Sequence, residues 1–167
     1  MTDNIIKLGE DDTLLRLKIC TKDGKDTGEM LVFDLEDIEL PLKYQELAEQ
    51  NKKNKQWIRN QMLIISKRQD VKGKKLMSKN QEDEIKAINE FYKREIETMN
   101  GFLGKNGVQK LLNGRNITWT SLAYVEKIIE EQIAPYFEGT MDKIKNKIKA
   151  TYGVKIKEED EIEVVEW

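Results

Sequence analysis

Apolar side chains recur along the chain in two spacings, every second position near the N-terminus and steps of three and four further on. In residues 13–20, TLLRLKIC, Leu15, Leu17 and Ile19 alternate with Arg16, Lys18 and Cys20, and residues 29–35, EMLVFDL, carry Met30, Val32 and Phe33. Alternation of this kind marks half-buried strands. The intervening TKDGKDTG, with Gly24 and Gly28, suits a hairpin with a longer loop. A lone hairpin is marginal in water, so this one is expected to rest on a helix or on a partner's strand. Its edges are the first place to expect self-association.

Helical spacing takes over after Pro41, a residue suited to a first helical turn because its missing N–H costs nothing there. Leu42, Tyr44 and Leu47 begin an apolar row, and Trp57, Ile58, Met62 and Ile65 resume it. Between them NKKNK, residues 51–55, has no apolar side chain, which predicts a helix that projects into solvent there or is interrupted. RQDVKGKKLMSKN reads as a mobile basic loop around Gly73. Ser78 and Gln81 have capping-box spacing for the next helix. Ile85, Ile88, Tyr92, Ile96, Met99 and Leu103 then form the strongest helical row in the chain, widened by Phe91 and Phe102, and core packing is its expected role. Thr118 is placed to cap a helix with Leu122, Val125, Ile129, Ile133 and Tyr136, which Pro135 should kink or end. Thr140 is placed to cap a last helix with Met141, Ile144, Ile148 and Tyr152, closed by Gly153.

The expected fold class is α+β, mostly α: an N-terminal β-hairpin packed on a bundle of about four helices. One domain over residues 1–153 holds the hairpin at 13–35 and helices within 41–70, 79–103, 106–113, 119–138 and 140–152. Residues 154–167, VKIKEEDEIEVVEW, form an acidic C-terminal arm. Val154, Ile156, Ile162 and Val164 permit strands there, but chain ends are usually loosely held, and the arm is expected to stay flexible until it meets a partner.

Residues 101–119, GFLGKNGVQKLLNGRNITW, concentrate Gly101, Gly104, Gly107 and Gly114 among apolar side chains. Glycine marks helix caps and tight turns, so the stretch reads as two helix ends with one short helix, Val108 to Leu112, between them. Gly101, Gly104 or Gly114 is expected at positive φ. Phe102, Leu103, Leu111, Leu112 and Trp119 would pack the helices around the turns, any exposed part of the set being a candidate partner surface, with Trp167 on the arm as a further contact. The spacing of lysines and glycines is not that of a phosphate loop.

A helix running into FLGKNG, a short helix with KLL, and NGRNITW opening another helix together resemble the tail assembly chaperones of long-tailed phages that infect Gram-positive bacteria. The resemblance spans residues 85–135 best and takes in the hairpin in outline. The basic 41–79 segment departs from it. It implies a non-enzymatic cytoplasmic protein, in the host cell, that binds tape-measure and/or tail-tube protein before polymerisation.

Composition narrows the chemistry. Of the 167 residues 38% are hydrophobic and 36% charged, so any core is drawn from narrow stripes between solvated faces. Histidine is absent and Cys20 stands alone, which removes the usual neutral-pH proton carrier, disulfides and cysteine metal clusters. No catalytic, cofactor or metal residue is therefore named, and no enzyme is expected. No apolar run exceeds four residues, as in Met62 to Ile65, far short of a membrane span, and MTDNIIKLGEDD has no signal-like region, so a cytoplasmic location is expected.

Charge lies in blocks: residues 1–40 carry net −6, 41–80 net +8, 81–153 none and 154–167 net −4. The basic block supplies an alternative function, nucleic-acid binding, through Lys52, Lys53, Lys55, Arg59, Lys67, Arg68, Lys72, Lys74 and Lys75 around Trp57. Against it, Trp57 falls on an apolar row, and no nucleic-acid-binding signature accompanies the patch.

Overall fold

The computed structural model describes residues 4–6, 13–153, 155–156 and 162–163. It has the α+β, mostly α architecture of a hairpin followed by helices. Strand β1 (Leu14–Cys20) pairs antiparallel with β2 (Asp26–Asp34), Leu15 opposite Phe33 and Leu17 opposite Leu31. The inner face is Leu15, Leu17, Ile19, Leu31 and Phe33. Met30 and Val32, grouped with Phe33 by their apolar character, instead lie on the outer face with Arg16 and Lys18, because side-chain direction alternates along the strand.

Helix α1 (Leu40–Ser66) runs without a break through NKKNK, and so is neither interrupted there nor wholly turned to solvent. Asn54 is buried and hydrogen-bonded into the structure. Helix α2 (Lys79–Leu103) returns antiparallel, opened by the Ser78–Gln81 capping box. The basic connection is tied at both ends. Asp70 accepts the Val71 and Asn80 N–H groups, and the Asn80 amide donates to the Ile65 and Arg68 carbonyls. Hydrogen bonds from Ser78 and Asn80 hold the Asp70 carboxyl below its ordinary value.

At the other end of α2 the glycine-rich turn behaves as its composition predicts. Gly104 has φ +94° and Gly114 +82°, while Gly101 stays helical. Asn106 and Asn113, both left-handed, flank helix α3 (Gly107–Leu112). A Cβ on Gly107 would sit 2.4 Å from that of Leu103, so glycine alone allows α3 to fold back this closely. Thr118 and Ser121 form a capping box for α4 (Trp119–Ile128). The chain continues through a π turn (Ile129–Ile133) into a 3-10 turn (Ala134–Phe137), where Pro135 has no N–H for α-helical bonding. Helix α5 (Thr140–Tyr152) is capped by left-handed Gly139 rather than by Thr140, which is its first residue and is buried.

Phe102 is the hub of the main core. Its ring centroid lies 5.5 Å from those of Phe33 and Tyr44 and 5.7 Å from that of Phe137, joining the hairpin, α1 and the 3-10 turn. A second, smaller cluster of Ile58, Ile65, Ala87 and Phe91 holds the far half of the α1–α2 pair. In the C-terminal arm, β3 (Lys155–Ile156) and β4 (Ile162–Glu163) pair antiparallel, the strand alternative of the two considered. The arm's other residues, Trp167 among them, lie outside the described residues.

Candidate functional site

The residues singled out at the glycine-rich junction separate by burial. Phe102, Leu103 and Leu112 are core side chains, which takes them off any accessible surface, while Leu111 packs against them half-buried. Trp119 is 58% exposed, its ring stacked on Phe91 at 5.6 Å.

The basic segment does not form one patch. Lys52, Lys55 and Arg59 share one side of α1 and line a cavity of about 460 Å³ opposite Glu126 and Glu130. Lys53 faces another groove beside Glu46, Glu49 and Glu97. Arg68 pairs with Asp83 at 2.9 Å, and Lys75 lies 3.7 Å from Glu82. Lys67, Lys72 and Lys74 are exposed at the α1–α2 turn. Trp57 is partly buried on the second cluster, with the Arg94 guanidinium 3.9 Å from its ring centre, so one ring face is already occupied.

Where α1, α2 and α4 meet, a polar junction interrupts the apolar packing. Asn54 donates to Glu95 at 2.8 Å and to the Thr98 hydroxyl at 3.1 Å, and accepts from Gln50 at 2.9 Å. Lys55 donates to Glu126 at 3.2 Å. Burial, reinforced by the facing Glu126 carboxyl, pushes the Glu95 carboxyl up to about 7. This junction was missed in the sequence because Asn54 and Glu95 each look like solvated helix residues. The available signal was position: Glu95 falls four residues from both Phe91 and Met99.

Two features remain open to a partner. The hairpin is a two-stranded sheet, so among the described residues each strand has one edge with no strand beside it, and on β2 the Lys110 ammonium donates to the Met30 carbonyl at 3.3 Å. Helix α5 carries Met141, Ile144, Ile148 and Tyr152 in steps of three, four and four, and Met141, Ile148 and Tyr152 are exposed. Lys147 on α5 meets Glu36 beyond β2.

Among the described residues no three His, Cys, Asp or Glu side chains are grouped to hold a metal ion. None of their helices is long and apolar enough to cross a membrane. Comparisons with protein-family models, with curated proteins and with solved structures return no match.

Proposed function

We propose that the protein is a non-enzymatic assembly chaperone that binds an unassembled phage tail-tube and/or tape-measure protein. The observation that carries this reading is the uncovered apolar row of α5, Met141, Ile148 and Tyr152, on the same molecule as the unpaired hairpin edges. A narrow row in steps of three and four is the seam one helix offers another, and an open strand edge takes up an extended segment. Both serve to cover apolar helices and strand edges of proteins waiting to polymerise, surfaces that otherwise aggregate. The resemblance in residues 85–135 supplies the tail proteins as the class of partner, and the cytoplasm as the place of binding. No nucleotide or metal enters the mechanism.

Co-expression with a tail-tube protein and with a tape-measure protein of a long-tailed phage tests the reading. The expected result is a soluble complex that forms without ATP and weakens only modestly with salt. The reading is overturned if neither tail protein gains solubility while nucleic acid binds with affinity falling by orders of magnitude between roughly 50 and 200 mM salt. That result assigns the function to the basic stretch from Lys52 to Lys75.

A further inference from the structure

Glu95 occupies the middle of the buried row of α2, between Phe91 and Met99, and is 1% exposed. The charged and polar groups around it come from three helices. From α1, Asn54 donates to it and Lys55 lies beside it. From α4, Glu126 brings a second carboxyl within hydrogen-bonding reach. On α2 itself, Thr98 donates to the Arg94 carbonyl at 2.7 Å, and the Arg94 guanidinium turns away to Glu90 and Trp57. Lys52, Arg59 and Glu130 face the adjoining cavity, on the outer side of Lys55 and Glu126. Two carboxyls thus share one close ammonium, that of Lys55, which is bound to Glu126. A proton between the carboxyls removes the remaining charge. Without it, two like charges oppose each other, Glu95 away from water and Glu126 only partly exposed.

From this geometry we infer that the Glu95–Glu126 pair is a proton-operated latch, closed by one shared proton and loosened at the N-terminal turns of α4, residues 119–124, when that proton leaves. Burial first, and Glu126 second, raise the Glu95 carboxyl, against the opposing pull of the Asn54 hydrogen bond and Lys55, and the resulting value of about 7 puts the change near neutral pH. The movement is assigned to the start of α4 because an open cavity borders it. A cavity of about 180 Å³, walled by Phe91, Tyr92, Trp119, Leu122 and Ala123, adjoins the pair and gives water a place to enter. Trp119 is already more than half exposed, and of these first turns only Leu122 reaches the main core, where Val125 and Ile129 further along are also anchored. Opening frees the Phe91 and Trp119 rings from each other. The latch does not depend on what α5 binds.

Hydrogen exchange on the full chain, read as protection factors at roughly pH 6 and pH 8, tests it. Protection of the amides of residues 121–125 should fall roughly tenfold across that interval, and by more than that of the α1 and α2 amides. The Glu95 carboxyl carbon should titrate over the same range by NMR. Glu95→Gln should abolish the pH dependence, and Glu126→Gln should abolish it from the other side should the first variant fail to fold. Protection of residues 121–125 that is independent of pH in the wild type overturns the latch. So does a pH dependence that survives both substitutions, and so does an equal fall in α1, α2 and α4, which is global destabilisation.

Discussion

Along α2, Phe91, Met99, Phe102 and Leu103 are buried against α1, α3 and the hairpin, whereas along α5 Met141, Ile148 and Tyr152, spaced as regularly, face solvent. The two rows have the same origin in helical periodicity. What differs is the chain on either side. A long antiparallel neighbour precedes α2, and a glycine-relieved turn folds α3 back onto its end. Helix α5 departs from left-handed Gly139 and is held by buried Thr140 and by the Lys147–Glu36 contact. An apolar row therefore names the face to be covered but not what covers it. The row left exposed among the described residues is the one proposed to meet the partner.

The sharpest way to break this contrast is to charge the covered row. Met99 is fully buried, so Met99→Asp should cost about 4 kcal/mol or more, the scale of an unpaired buried charge. Urea denaturation checks it, and an unchanged midpoint would remove α2 from the centre of the core.

A smaller loss, about 2 kcal/mol, is expected for Gly107→Ala, whose new Cβ would lie 2.4 Å from the Leu103 Cβ and push α3 away from α2. At Gly139, before α5, a Cβ meets nothing nearby, and φ +76° alone makes alanine unfavourable, by about 1 kcal/mol. A measured order reversed between these two glycines would mean that α3 does not brace the end of α2.

The covered row has one polar step, and it has a pH signature. The Glu95 carboxyl is raised above its ordinary 4.5 to about 7 in the folded protein. Between those values the folded chain keeps a proton that the unfolded chain releases, so stability falls as pH rises through this window and levels off above it. Glu95→Gln, which keeps an acceptor for Asn54 but loses the charge, should flatten the dependence. It should stabilise the protein at pH 8 by about 1–2 kcal/mol, the shift discounted for relaxation around the site. Denaturation midpoints at pH 5 and pH 8 for both proteins provide the measurement, and a wild type more stable at pH 8 would reverse the sign.

How much of this was legible beforehand follows the same division. The hairpin, the two capping boxes, the glycine turns and the α2 row are set by neighbours in sequence, through alternation, short-range hydrogen bonds and φ. The polar junction is set by groups far apart in sequence, and Asn54 and Glu95 gain their meaning only when α1 and α2 pack. That is why NKKNK reads in sequence as either a break in α1 or a stretch projecting into solvent. Of the candidate partner residues around Phe102, burial withdraws Phe102, Leu103 and Leu112 and leaves Leu111 half-buried and Trp119 exposed. Nothing local marked α5 as uncovered, because its row in steps of three and four has the spacing of a core helix.

The smallest expected effect on stability is therefore the most informative about function. Ile148 is 39% exposed on α5, so the carboxylate of Ile148→Asp stays within reach of water. Its unfolding free energy should fall by less than about 1 kcal/mol, below the loss at any fully buried position. Binding should respond differently. If a partner helix lies on Met141, Ile148 and Tyr152, the same carboxylate becomes buried in that complex without a counter-charge, and the affinity should fall at least tenfold. Unfolding and co-purification measured on one preparation separate the outcomes. Large destabilisation would show that α5 is covered within the molecule after all, and the contrast with α2 would vanish. A stable variant that still holds the tail protein would move the partner from α5 to the hairpin edges, where a proline at Met30 or Val32 becomes the next substitution to make.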